Sequence, residues 1–291
     1  VTKTQTCKDK IEIFHGALIQ HGSAGDRIYL MNLLNHPDPL KLQKIISGIF
    51  EKACDEGYSK IFAKVSRKDS KAFLQAGYEV EACVPGFYLG KEDAFFLGYY
   101  FSQQRRHQRD VSEVQNVLRL CEQKRVSVES VEDIKHEDKF ILRNCTEDDV
   151  CRMVEIYTRV FPSYPFPIHD PDYLLKTMRS NVDYFGVESE GKLIALSSAE
   201  TDMDNKNAEM TDFATLPEYR GAGLAGCLLA HMDKYAASKG IITAYTIARA
   251  VSVGMNITFA KRGYSYGGTL INNTQISGGL ESMNIWYKSL A

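Results

Sequence analysis

Neither sign of charge dominates this chain: 35 Lys+Arg stand against 37 Asp+Glu in 291 residues, a formal net charge of -2. Without a basic surplus there is no electrostatic footprint for non-specific nucleic-acid binding. Long apolar runs are missing too. The run from Phe95 to Phe101 is broken by Gly98 and falls far short of the ~20 residues a membrane helix needs. Val1 to Lys10 is polar and holds no apolar signal core, so we expect a cytoplasmic protein with no membrane partner. Cysteine occurs seven times but never at C-x-x-C spacing, and Cys145 and Cys151 have no histidine at ligand spacing beside them. The thiols read as free, and we expect no metal. What remains is 44% hydrophobic and 25% charged, the composition of a soluble core-forming protein. Its length suggests two domains at about 150 residues each.

Strand and helix signals alternate on both sides of a different middle. Before residue 101, Ile11 to Phe14, Ile28 to Leu33, Ser59 to Val65, Tyr78 to Val84 and Ala94 to Phe101 read as strands. A helix opens at Asp38-Pro39, with Leu42, Ile45, Ile46, Ile49 and Phe50 expected on one face. Residues 102–138 read as a helical linker, in which Val111, Val114, Val117, Leu118 and Cys121 recur at helical spacing. Its arginines, among them Arg105, Arg106 and Arg109, read as a solvated face in preference to a phosphate or RNA contact. Beyond it, Thr146 and Asp149 form a capping box before a helix. A Pro/aromatic loop with Tyr164 and Phe166 follows, then strands to residue 215, a helix over Leu224 to Lys239, and a strand–helix–strand–strand ending.

The two regions repeat each other. Ser66, Phe73 and Gly77-Tyr78 match Ser252, Phe259 and Gly263-Tyr264, each displaced by 186 positions. The period is domain-sized, which points to an internal duplication and not to a solenoid. The expected fold is α/β with a mixed sheet, built as a tandem: a degenerate first half over 1–101, the linker, and a complete second half over 139–291.

The segment that carries chemistry runs from Glu209 through Asp212, Phe213, Ala214 and Thr215 to Arg220-Gly221-Ala222-Gly223-Leu224-Ala225. A strand enters a glycine turn that opens a helix, where free N–H groups bind anionic phosphate and glycine lets a ligand approach the backbone. No G-K-[ST] follows, so it is not a Walker loop, and the third glycine of a dinucleotide fingerprint is absent.

Arg220 to Ala225 resembles the R/Q-x-x-G-x-G/A turn of the GNAT superfamily of N-acetyltransferases, and Phe259-Ala260-Lys261-Arg262-Gly263-Tyr264 resembles that superfamily's helix-ending motif. The first half has Leu33-Leu34-Asn35-His36-Pro37-Asp38 where a second turn would stand, so the resemblance implies one acetyl-CoA site. Strings such as Thr243 to Ala250, Gly254 to Lys261, Glu281 to Tyr287, Asp26 to Leu30 and Val84 to Tyr88 look like the β-lysine N6-acetyltransferase family. That resemblance implies transfer from acetyl-CoA to the terminal amine of β-lysine, giving the osmolyte Nε-acetyl-β-lysine. It also implies Phe213, Ala214, Thr215, the turn Arg220 to Ala225, and Asn256 as acetyl-CoA contacts. Another amine (a polyamine, lysine or a protein amine) and a non-catalytic acyl-CoA-binding regulator stay open, as does a homo-oligomer.

An alkyl ammonium of pKa about 10.4 is charged at pH 7, and freeing the amine costs about 4–5 kcal/mol unless a base takes the proton. Glu209, on the strand entering the turn, is the candidate base, with Asp212 as second choice. The position four before Gly263, where GNAT enzymes usually keep a tyrosine acid, is Phe259. Ser252, Tyr245, Tyr264 and Tyr266 are the possible substitutes; otherwise coenzyme A leaves as thiolate. Tyr164, Arg249 and Asn273 are the candidate acceptor contacts, with Arg249 suited to a bidentate grip on a carboxylate.

Overall fold

A computed structural model describes residues 9–34, 37–125 and 139–291. The first half contains strands β1 (Lys10–Phe14), β2 (Ala17–Gly22) and β3 (Arg27–Leu33), helix α1 (Pro39–Asp55), β4 (Lys60–Ser66), α2 (Arg67–Gln75), β5 (Glu79–Tyr88) and β6 (Glu92–Tyr100). Two helices follow, α3 (Gln103–Arg106) and α4 (Val111–Lys124). The second half contains β7 (Ile141–Asn144), α5 (Val150–Val160), α6 (Pro171–Met178), β8 (Val182–Ser189), β9 (Lys192–Asp202), β10 (Asn207–Thr215), α7 (Leu224–Ser238), β11 (Thr243–Arg249), α8 (Val253–Lys261), β12 (Ser265–Ile276) and β13 (Gly279–Ser289). The Thr146–Asp149 capping box is formed. Strand β2 was not anticipated; its burial is nearly continuous, which hides the period-2 signal of a half-buried strand.

All thirteen strands form one sheet, in the order β1-β2-β3-β4-β6-β5-β12-β13-β11-β10-β9-β8-β7. Each half contributes antiparallel strands, one parallel pair (β3–β4 or β10–β11) and a final hairpin inserted in reversed order. The tandem is therefore visible as topology. Helices α2 and α8 begin and end 186 positions apart (67 and 253, 75 and 261). Phe73 meets Tyr78 edge-on at 5.1 Å and Phe259 meets Tyr264 edge-on at the same 5.1 Å.

The halves join where β5 pairs with β12 at Ala82 and Gly268. Gly268 has φ 140°, and a Cβ there would stand 2.2 Å from the Glu81 carbonyl, so no other residue fits. Buried polar groups fix the register. Lys60 donates to both Glu81 oxygens at 2.8 and 2.9 Å and to the Ile271 carbonyl at 2.8 Å, and Glu81 also accepts from the Ile271 amide. Such a pair adds little net stability, but breaking it would strand a charge.

Each half has its own core, and a third cluster spans the joint, with Tyr29, Phe62, Phe87 and Phe96 against Tyr245, Leu270, Met283 and Ile285. The segment read as a linker is tied in more firmly than expected. Val117 and Cys121 of α4 lie in the second half's core. Arg105 is buried, pairs with Asp26 at 3.0 Å and donates to the Asn272 carbonyl at 2.8 Å, so it is a bolt across the joint and not a solvated arginine. Residues 126–138 of that segment and Asn35-His36 lie outside the described residues.

Candidate active site

Parallel pairing of β10 with β11 covers only Asn207–Thr243, Ala208–Ala244 and Glu209–Tyr245, and then the strands splay apart. A cavity of about 720 Å³ opens along the splay, walled by Phe213 and Thr215 on one side and Thr246 to Arg249 on the other. At one end stands the glycine turn. Gly223 sits at the N-cap of α7 with φ 75° and no side chain capping the helix, and Gly221 has φ 86°. The helix therefore presents uncapped first-turn N–H groups, the arrangement that receives a phosphate. A Cβ on Gly221 would meet no protein atom, so glycine is needed there for its left-handed backbone.

The carboxylates gather past the splay point. Glu200, Glu209 and Tyr245 lie directly opposite one another across β9, β10 and β11, hence on one face of the sheet, and all line the cavity. Enclosure by the cavity wall pushes the Glu209 carboxyl up to about 7, and neighbouring Glu200 pushes the same way, while Lys64 and a hydrogen bond from Tyr245 pull it back. Asp212 sits at a bulge, with φ 54°, which turns it into the same cavity. Its two oxygens are already engaged: Tyr164 donates to Oδ1 at 2.5 Å and Ser198 to Oδ2 at 2.6 Å. Burial raises its pKa and these donors oppose the rise. A carboxylate poised near neutrality with room before it accepts a proton more readily than one saturated by donors.

Phe213, Thr215, Arg220, Gly221, Gly223, Leu224 and Ala225 line the cavity, as do Tyr164, Arg249 and Asn273. Four expectations need correction. Asn256 is fully buried away from the cavity: it donates to the carbonyls of Arg249 and Ser252 and accepts from Asn284 and Trp286, so it locks α8 to β11 and β13. Ala214 turns its side chain into the core, and Ala222 is exposed off the cavity wall. Arg249 reaches the cavity, but its guanidinium is held by Glu281 at 2.6 and 2.7 Å, which satisfies the charge meant for an acceptor carboxylate.

The Acetyltransferase (GNAT) family profile matches residues 150–264. The chain is 41% identical, over 96% of its own length and 98% of the relative's, to a protein of Methanococcus maripaludis named β-lysine N(6)-acetyltransferase. It is 34% identical to a protein of that name from Methanosarcina mazei, over 86% of this chain and 98% of the other. It is also 33% identical to N-acetyltransferase YodP of Bacillus subtilis, over 86% and 89%. The chain belongs to the GNAT acetyltransferase family.

As a GNAT enzyme it has one acetyl donor, acetyl-CoA, and one unusual position. Phe259 lines the cavity and has no proton to give. Of the four candidate substitutes, Tyr264 donates to Asp233 inside the core and Tyr266 bonds Thr269 at the surface, so neither faces the cavity. Ser252 and Tyr245 do. The larger surprise is the first half, which supplies Arg27, Tyr29, Met31, Phe62 and Lys64 to the same cavity. Gln20 of β2 also holds the Pro/aromatic loop, donating to the Pro165 carbonyl at 3.2 Å. The alternation Arg27, Tyr29, Met31 on one strand face was a readable signal, but nothing local told which cavity that face would meet.

Proposed function

We propose that this chain transfers the acetyl group of acetyl-CoA to the N6 amine of β-lysine, giving Nε-acetyl-β-lysine, a compatible solute, in the cytoplasm. The observation that carries the substrate is the near-complete, 41% identical match to a β-lysine acetyltransferase, which spans both halves. In this reading residues 139–291 form the catalytic unit and 1–101 a GNAT-like unit without a phosphate turn, with 102–138 between them. The turn Arg220 to Ala225 receives the pyrophosphate, and the splay beside Phe213 to Thr215 receives the pantetheine arm. Those elements fit coenzyme A because the helix end is uncapped and the slot is lined by unpaired strand edges.

Glu209 is the general base. It takes the ammonium proton so that the neutral amine attacks the thioester carbonyl; the C–N bond forms, the C–S bond breaks, coenzyme A leaves as thiolate, and the second proton that the nitrogen loses as the amide forms goes to solvent water. A thiol of pKa about 8–9 is an adequate leaving group at neutral pH, which makes the absence of a tyrosine at Phe259 tolerable. Asp212 positions Tyr164 and the bulge, and Glu200 adds negative charge that attracts a cationic acceptor. The test is thioester consumption by the purified protein with β-lysine, lysine, spermidine and a peptide amine. β-Lysine is expected to give the highest kcat/KM; a higher value for any other acceptor overturns the substrate.

A further inference from the structure

Three cations are buried or nearly so at the joint, and two of them have an acid. Lys60 is paired with Glu81 and Arg105 with Asp26. The third is Arg27, 6% exposed, and among the described residues no carboxylate lies within ion-pair distance of it. Its Nη1 donates to the Asn273 carbonyl and to Thr274 Oγ1 at 3.3 Å, and its Nε has no partner. The guanidinium lies 5.6 Å from the ring centres of both Tyr29 and Phe62, which hold it in place without neutralising it. Asn273, 1% exposed, leaves its side-chain Oδ1 without a partner as well. Both residues line the reaction cavity. A buried donor and a buried acceptor left open on two residues in contact each carry a cost unless something else fills them.

We propose that Arg27, from the half that lacks a phosphate turn, receives the carboxylate of the acceptor, and that Asn273 Oδ1 accepts from the ammonium nearest that carboxylate. The inference rests on the reading of the acceptor as β-lysine, which carries a carboxylate and an ammonium two carbons apart at one end and its reactive amine at the other. It gives the cavity two poles. At one end stands Arg27, from the first half, and at the other Glu200 and Glu209 of the second half, with Lys64 of the first half beside them. Tyr29, whose ring lies 5.6 Å from the Arg27 guanidinium, lines the same cavity. Anchoring the carboxylate at one pole directs the far amine toward Glu209. Arg249, satisfied by Glu281, is relieved of that role.

The experiment compares three acceptors in steady state: β-lysine, its carboxamide, and pentane-1,4-diamine, which is β-lysine without its carboxylate. Wild type is expected to show a KM for β-lysine roughly 10- to 100-fold below those of the other two, the range of one charge-assisted contact. Arg27→Gln should erase that preference by raising KM for β-lysine alone, with kcat and coenzyme A affinity within about threefold of wild type. Arg27→Lys should retain part of the preference, and it carries the comparison if Arg27→Gln loses coenzyme A binding. An equal rise in KM for all three acceptors, or an intact preference in Arg27→Gln, overturns the proposal. Should wild type prefer a carboxylated amine of another skeleton, only the β-lysine reading fails and the same comparison on that amine decides Arg27. A preferred acceptor with no carboxylate overturns both.

Discussion

In the second half the parallel strands β10 and β11 carry Glu209 opposite Tyr245, whose counterpart at the 186-position displacement is Ser59. The parallel strands β3 and β4 of the first half carry no carboxylate; Tyr29 stands opposite Phe62 there, a stacked aromatic pair 4.6 Å between centroids. The helix after each strand differs in the same sense. Helix α7 begins at Gly223 with no cap, whereas α1 begins at Asp38, whose carboxylate accepts from the Lys41 amide at 2.9 Å. A capped helix end has its own anion and needs no phosphate. The contrast shows what a duplicated fold can discard. The hydrophobic anchors Phe73 and Phe259 serve folding and are kept in both copies, while the carboxylate proposed as base and the uncapped turn occur once. The first copy's freed face lines the cavity of the second.

The comparison is broken most severely at the base. Glu209→Gln should lower kcat by about 10²- to 10⁴-fold, with coenzyme A affinity unchanged, because the carboxylate acts on the amine proton and not on the donor. Its sign with pH follows from the raised carboxyl. Below about 7 Glu209 holds its proton and cannot accept another, so wild-type kcat/KM should fall about tenfold per unit as pH drops below that value. In the variant the break near that value should vanish: kcat/KM should go on rising about tenfold per unit toward the amine's own pKa of about 10.4, because only free amine then reacts. If Asp212→Asn produces this pattern and Glu209→Gln does not, the base is the residue at the bulge.

A smaller effect, on binding alone, separates the two helix ends. Gly223→Glu forces an L side chain into a left-handed backbone and sets a carboxylate on the uncapped amides, so coenzyme A affinity should drop at least about 100-fold. Asp38→Ala should leave it untouched. Calorimetric titration of wild type should give one coenzyme A per chain; two would mean that the first half kept a site of its own.

Much of this division is legible in the sequence alone. The turn, the strand leading into it and the 186-residue repeat are local patterns, set by glycine conformation, capping and strand-helix periodicity. What escaped was non-local. Arg27 and Glu209 stand on strands separated in the sheet order by β4, β6, β5, β12, β13 and β11, and only the curl of the whole sheet brings them to one cavity. The pairing of Arg249 with Glu281 escaped for the same reason, since a strand register decides it: Arg249 faces Met283 of β13, two residues from that acid. Asn256 misled because an asparagine in a helix beside a coenzyme site has the same letters whether it faces ligand or core.

The smallest effect is expected at Phe259, where the two halves agree and the wider family differs. Its ring meets Phe213 edge-on at 5.6 Å and Tyr264 at 5.1 Å, and Phe73 repeats the second contact in a half with no thioester to cleave. Packing alone therefore accounts for a phenyl ring in both copies. If the thiolate leaves unaided, Phe259→Tyr supplies an acid the reaction does not need. Its kcat should stay within about threefold of wild type, and the added hydroxyl should reach the cavity that the ring already borders. The alternative predicts a clear gain: were leaving-group protonation limiting, a positioned acid would be worth about 10²-fold or more. A tenfold rise in kcat would therefore mean that departure of coenzyme A, and not deprotonation by Glu209, sets the rate.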